Sequence, residues 1–244
     1  MSGFRRVIFT SAAVFSALAS AQSTGIGKCT DLHIFLSRGN NEPYPGRQGK
    51  LVDAICSGLD SCDYEDIDFD NALSVEYCSA VEAGRVAGIK QITAYAQKCP
   101  KSKLVVSGYS QGAQVVGDIL GGGGGTFFQN CFIASGGGLD PNSSPGKNIA
   151  AALLFGDTRH TADQSYNVLE GAGISGLFPR SGGQLAGLNE FSGVLRSYCQ
   201  FDDPICAAGD GHRTDTVVAD HLNYFDKYPQ AAAYEFLSFC MLFT

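Results

Sequence analysis

A three-layer α/β/α fold, with helices on both faces of a central, mostly parallel five-stranded sheet, is predicted by three observations. Short apolar runs of strand length recur between segments of helical periodicity, the alternation that builds a parallel sheet. Five such runs are present, at 32–37, 64–69, 103–107, 149–155 and 193–198. The third is followed by Gly108-Tyr109-Ser110-Gln111-Gly112 and then by a helix-like segment, 113–120. Ligands in such a sheet bind at the carboxyl ends of the strands, where Ser110 falls.

Each element has its own signal. Leu32–Ser37 ends in Arg38, Gly39 and Asn40, so it reads as a buried strand followed by a tight loop. Residues 49–59 and 79–98 read as helices, the second with Val81, Val86, Ile89, Ile92 and Ala96 at helical spacing. The strand at 64–69 lies between them. Ile149–Phe155 and the run at 193–198 are closed by polar or glycine residues, as strands are. Residues 229–243 form the last helix, with Phe236, Phe239 and Phe243 as a core stripe. The glycine runs 121–125 and 136–138 have no G-K-[ST] after them, so they read as flexible loops rather than a phosphate cradle.

Arg5 and Arg6 precede an apolar stretch, 7–18, and then Ala19-Ser20-Ala21, an A-x-A cleavage pattern. Residues 1–21 therefore read as a secretory signal peptide and 22–244 as one α/β domain. The apolar core is shorter than the roughly 20 residues a span requires, and no other segment qualifies, so no membrane partner is expected. Without Arg5 and Arg6 the 17 basic residues become 15 against 24 acidic ones, a net charge of −9. That balance, with no basic stripe, excludes nucleic acid as a partner.

All nine cysteines follow residue 21, and on a secretory route disulfides are the default. Cys56 with Cys62, and Cys199 with Cys206, enclose short loops without the paired spacing of a zinc site, so a bridge is expected at each. The odd count leaves one thiol unpaired, and the partners of Cys78, Cys131 and Cys240 stay open. Asn142-Ser143-Ser144 is a glycosylation sequon in a stretch rich in Pro, Ser and Gly, which suits an exposed loop.

The G-x-S-x-G spacing has a steric cause. A serine on a sharp strand-to-helix turn needs small neighbours two residues away on each side, and the turn aims the amide of Gln111 at an oxygen on the carbon that Ser110 attacks. A serine hydroxyl needs a base, and the base needs a carboxylate to hold its tautomer. With this elbow the chain order is serine, acid, histidine, which eliminates His33. His160 precedes the last core strand and reads as a surface or structural residue, leaving His212 and His221. Asp202 and Asp203 directly follow the last strand, inside the Cys199 to Cys206 loop. Spacing alone does not choose between them.

The elbow in its longer form runs Cys99-Pro100, then Leu104-Val105-Val106-Ser107-Gly108-Tyr109-Ser110-Gln111-Gly112. Together with Cys199-Gln200-Phe201-Asp202-Asp203-Pro204-Ile205-Cys206, it resembles the fungal cutinase and acetylxylan esterase family of small serine esterases, from about Cys29 to the end of the chain. The resemblance implies a lidless α/β-hydrolase fold, a Cys29–Cys99 bridge, and a catalytic acid four residues after the first clamp cysteine, at Asp203. It also implies a base followed by tyrosine three residues later, as in His221-Leu222-Asn223-Tyr224, which makes His212 a loop residue. The second oxyanion donor comes from the loop after the first strand, at Asn40, where many relatives carry Ser or Thr.

Relative to cutinases, the fourteen residues from Ala207 to Asp220 form a longer insertion before His221, carrying Asp210, His212, Arg213, Asp215 and Asp220. A polar rim there disfavours a long aliphatic acyl chain. Asp203-Pro204, the glycine run and Gly156-Asp157 look like the acetylxylan esterase side. With no tryptophan in the chain, sugar stacking falls to tyrosines such as Tyr109 and Tyr224. The resemblance thus implies a secreted, monomeric esterase that removes short acyl groups, acetyl above all, from plant cell-wall polymers such as acetylated xylan, with no metal or organic cofactor. A cutinase or broad polyesterase, and a non-catalytic secreted wall-associated protein on the same scaffold, are the alternatives.

Overall fold

The computed structural model describes residues 28–209, 211 and 213–241. The expected leader at 1–21, Asp210, His212 and Phe243 lie outside these residues, as do the side chains of Phe236, Phe239 and Cys240. In chain order the elements are β1 (Leu32–Ser37), α1 (Gly49–Cys56), β2 (Cys62–Asp66), α2 (Tyr77–Lys98), β3 (Lys103–Tyr109), α3 (Gln111–Gly121), β4 (Gly123–Thr126), β5 (Phe132–Gly136), β6 (Ile149–Phe155), β7 (Asn167–Val168), α4 (Gly182–Asn189), β8 (Leu195–Tyr198), α5 (Val218–Leu222), α6 (Tyr224–Lys227) and α7 (Pro229–Met241).

The central sheet runs β2-β1-β3-β6-β8-β7 with every pair parallel. It has six strands rather than the expected five. The additional one, β7, is only Asn167 and Val168, too short and too polar to leave an apolar run, and it joins the sheet edge by pairing with Ser197 and Tyr198. The strand order reverses between β1 and β3, the switch point at which a crevice opens in such sheets.

Alternation along the strands divides the core between two faces. Phe35, Leu104, Val106, Ala152 and Leu154 meet Val81, Ile92, Val115 and Ile119 of α2 and α3. Ile34, Leu36, Val105, Leu153 and Phe155 meet Leu51, Ile55 and Ala232 of α1 and α7. Burying one such side chain contributes about 1.5–3 kcal/mol, so the apolar strands hold the sheet at the centre.

The glycine runs are loops only in part: Gly137 and Gly138 lie outside any strand or helix, but Gly123–Gly125 and Gly136 are in strands. Gly123–Thr126 pairs antiparallel with Phe132–Gly136 in a separate two-stranded ribbon. Glycine is a poor strand former, but here φ is +120° at Gly124 and +135° at Gly125, conformations that side chains resist.

Among the described residues, four disulfides close the fold: Cys29–Cys99, Cys56–Cys62, Cys199–Cys206 and Cys78–Cys131. The last joins the start of α2 to the residue before β5. Asn142 is exposed in a turn, its backbone N–H donating to Asp140 Oδ1 at 2.9 Å.

Beneath α3 lies a buried ionic cluster. Arg180 donates to Asp157 Oδ2 at 2.5 Å and to Asp118 Oδ1 at 3.0 Å, and Arg159 donates to the same Asp118 oxygen at 3.0 Å. Burial pushes the Asp118 carboxyl up, against the pull of Arg180 and Arg159. Arg180→Met would leave the buried Asp157 carboxylate without its ion-pair partner and Asp118 with Arg159 alone, and is expected to lower unfolding stability by about 3–5 kcal/mol. A denaturant midpoint unchanged from wild type would contradict this.

Candidate active site

The elbow forms at the carboxyl end of β3. Ser110 sits between β3 and α3 with φ +56° and ψ −121°, a strained conformation for a residue with a side chain. The flanking glycines have the expected cause. A Cβ at Gly108 would lie 2.3 Å from the Gly112 carbonyl oxygen, and one at Gly112 would lie 2.0 Å from that of Ser37. The N-terminus of α3 begins at Gln111, where the first amides have no intrahelical partner and carry partial positive charge.

His221, Ser110 and Asp203 come together from three separate segments. His221 Nε2 is 2.9 Å from Ser110 Oγ, and His221 Nδ1 is 2.8 Å from Asp203 Oδ2. Asp203 is fully buried and saturated: Tyr224 donates to Oδ2 at 2.7 Å, and the amides of Ile205 and Cys206 donate to Oδ1 at 2.7 and 3.2 Å. Burial pushes this carboxyl up, but the bonds from His221, Tyr224 and the Ile205 amide outweigh it and hold the group below the usual range. Asp202 instead turns outward to Arg213, at 3.2 Å, so of the two neighbours it is Asp203 that lies against His221.

The other described histidines, His33 and His160, lie elsewhere. His33 is bonded to Asp63, 2.5 Å away, near the amino ends of β1 and β2. His160 is buried, as a structural histidine is, with Nδ1 2.9 Å from Ser197 Oγ, and burial holds its pKa down.

A cleft of about 640 Å³ opens beside Ser110, and Asn40 and Gln111 line it. The loop carrying Asn40 is tightly held. Arg38 pairs with Asp66 at 2.6 Å, and Asn71 Nδ2 donates to the carbonyls of Gly39 and Glu42 at 2.6 and 3.0 Å. Burial raises the Asp66 carboxyl to about 7 despite Arg38.

Two expectations need correction. Tyr109 and Tyr224 are 3% and 0% exposed and cannot stack on a sugar. Both are turned inward: the Tyr109 hydroxyl donates to the His221 carbonyl at 2.9 Å, while Tyr224 donates to Asp203. The aromatic side chains at the cleft are Tyr77 and Phe128, ring centroids 4.8 Å apart, joined by Leu73 and Thr158. Only the adjacent pair Phe127-Phe128, two aromatics together in a loop, signals this in the sequence. The polar rim expected before His221 is also altered. Arg213 folds back onto Asp202 and Asp215, while Val217, Val218 and Leu222 beside the histidine are exposed.

Comparison with known proteins agrees with this architecture. The Cutinase family model matches residues 28–239. Cutinase 11 of Verticillium dahliae is 27% identical over 91% of this chain and 74% of its own length. Acetylxylan esterase 2 of Talaromyces purpureogenus is 28% identical over 90% of this chain and 82% of its own. Among solved structures, the catalytic core domain of acetyl xylan esterase from Trichoderma reesei has the same fold, with a TM-score of 0.73 at 24% identity, covering 86% of this chain and 99% of that one. With an α/β-hydrolase sheet, a serine elbow and a family match spanning nearly all the described residues, the chain belongs to the cutinase family.

Proposed function

We propose that the protein is a secreted serine esterase that removes short acyl groups, chiefly acetyl, from plant cell-wall polymers such as acetylated xylan. The observation that carries the reading is the hydrogen-bonded run from Ser110 through His221 to Asp203 at the edge of an open cleft. Four disulfides suit an oxidising compartment, in keeping with secretion.

In this reading Nδ1–H of His221 donates to Asp203, which leaves Nε2 to accept the Ser110 proton as Oγ attacks the ester carbonyl. The resulting oxyanion is held by the amides of Gln111 and Asn40, each contributing about 3 kcal/mol. His221 returns the proton to the departing alcohol, which breaks the ester bond and leaves the acyl group on Ser110. Water then attacks, His221 takes its proton, and the carboxylic acid leaves with the serine restored. Asn40, Ser74, Glu76, Gln129 and Thr158 give the cleft polar walls, which suit a small acyl group attached to a hydroxyl-rich polymer. The acetylxylan esterase relatives support the same choice.

One observation favours a second reading as a cutinase or polyesterase. Leu73 is 75% exposed on the cleft, and Val218 is 63% exposed on the helix that carries His221. Apolar side chains around the opening suit a waxy substrate. Acyl-chain length separates the two readings. For p-nitrophenyl acetate against the palmitate ester, kcat/KM is expected to be at least about tenfold higher for acetate, a difference of about 1.4 kcal/mol in transition-state binding. A preference for palmitate would overturn the short-acyl reading in favour of the second.

A further inference from the structure

Resting on the serine-esterase reading, we infer that Tyr109 is a positioning residue that sets the distance between His221 and Ser110. The base is carried by α5, a five-residue helix outside the sheet. The last carbonyls of a helix have no partner within it, and that of His221 is taken by the Tyr109 hydroxyl at 2.9 Å. Tyr109 is also the residue that precedes Ser110. The rigid end of β3 therefore holds the nucleophile through a peptide bond and the base through a hydrogen bond.

The ring itself is fixed on all sides. It stacks on the His221 imidazole with centroids 5.2 Å apart and meets Phe225 edge-on at 5.6 Å. The oxyanion loop also rests on it, since a Cβ at Gly39 would lie 2.7 Å from Tyr109 Cδ1. Arg47 lies over the ring at 5.8 Å and donates to Glu42 Oε1 at 2.5 Å, while Glu42 Oε2 accepts from the Gly39 amide at 3.1 Å. One buried side chain thus touches the oxyanion loop, the base and the helix behind it.

The test compares Tyr109→Phe with Tyr95→Phe. Tyr95 is equally buried, and its hydroxyl, which accepts from the Thr30 amide at 3.2 Å, lies at the start of β1, the opposite end of the strands from Ser110. On p-nitrophenyl acetate, Tyr109→Phe is expected to lower kcat by about tenfold and to slow organophosphonate labelling by the same factor, with KM within about twofold of wild type. Tyr95→Phe is expected to lower Tm while leaving kcat unchanged. A Tyr109→Phe enzyme with a lower Tm and wild-type kcat would overturn the inference, as would a raised KM at unchanged kcat, the signature of a substrate contact. A wild type that neither turns over the ester nor takes the label would overturn the esterase reading and this inference with it. An active wild type beside an unaffected Tyr109→Phe would overturn the inference alone.

Discussion

Ser110→Ala is expected to lower kcat by about 10⁴-fold or more while leaving the fold intact. The residual rate would come from the oxyanion donors and substrate binding, which the substitution does not touch. Alanine keeps the Cβ that already occupies the positive-φ position, so the backbone strain at residue 110 is unchanged. Only Oγ, with its contact to His221, is lost. The measurement is turnover of p-nitrophenyl acetate together with labelling by a fluorescent organophosphonate. A folded Ser110→Ala protein that still takes the label would place the nucleophile elsewhere.

Asp203→Asn is expected to cost about 10⁴-fold in kcat, whereas Asp202→Asn stays within about twofold of wild type. The reason lies in the donors around Asp203. It accepts from His221, Tyr224 and two backbone amides, with no donor of its own. An asparagine amide must point its NH₂ group at one of these donors. Turned toward Nδ1, it favours the tautomer that carries hydrogen on Nε2, which cannot take the serine proton. Asp202 has no such role, since its partner is Arg213 at the surface. If Asp202→Asn were the damaging change, the acid would be misassigned. Acid stability follows with the same sign. The folded Asp203 carboxyl titrates below its ordinary value near 3.8, so its contribution is present above that pH and is lost as the pH falls through the lower folded value. Unfolding free energy measured against pH is expected to lose this contribution in Asp203→Asn.

The sequence displays the parts of this molecule whose cause is local. The elbow was legible because the clashes at Gly108 and Gly112 permit no other residue, and the strands at 32–37 and 149–155 because both faces of the sheet are buried. Chain order narrowed the acid to Asp202 or Asp203 and the base to His212 or His221, and the family resemblance pointed to Asp203 and His221. What escaped was decided by tertiary contact. The two-residue strand β7 exists only because β8 offers it an edge. The glycine ribbon contradicts strand propensity, and its positive φ angles are invisible to a pattern of residue types. Tyr109 and Tyr224 were expected to face the substrate because aromatic rings suit sugars. Nothing in their neighbours reveals that each hydroxyl is held inside, one on the His221 carbonyl and the other on Asp203.

The Cys29–Cys99 bond has a practical side. It fastens the first described residues beside the entry to β3, whereas the cleft lies at the exit of the same strand, seven residues and about 20 Å away. An affinity tag, a fused module or a solid support attached upstream of Cys29 would therefore be tethered at the back of the molecule. The face that carries the cleft would stay unobstructed.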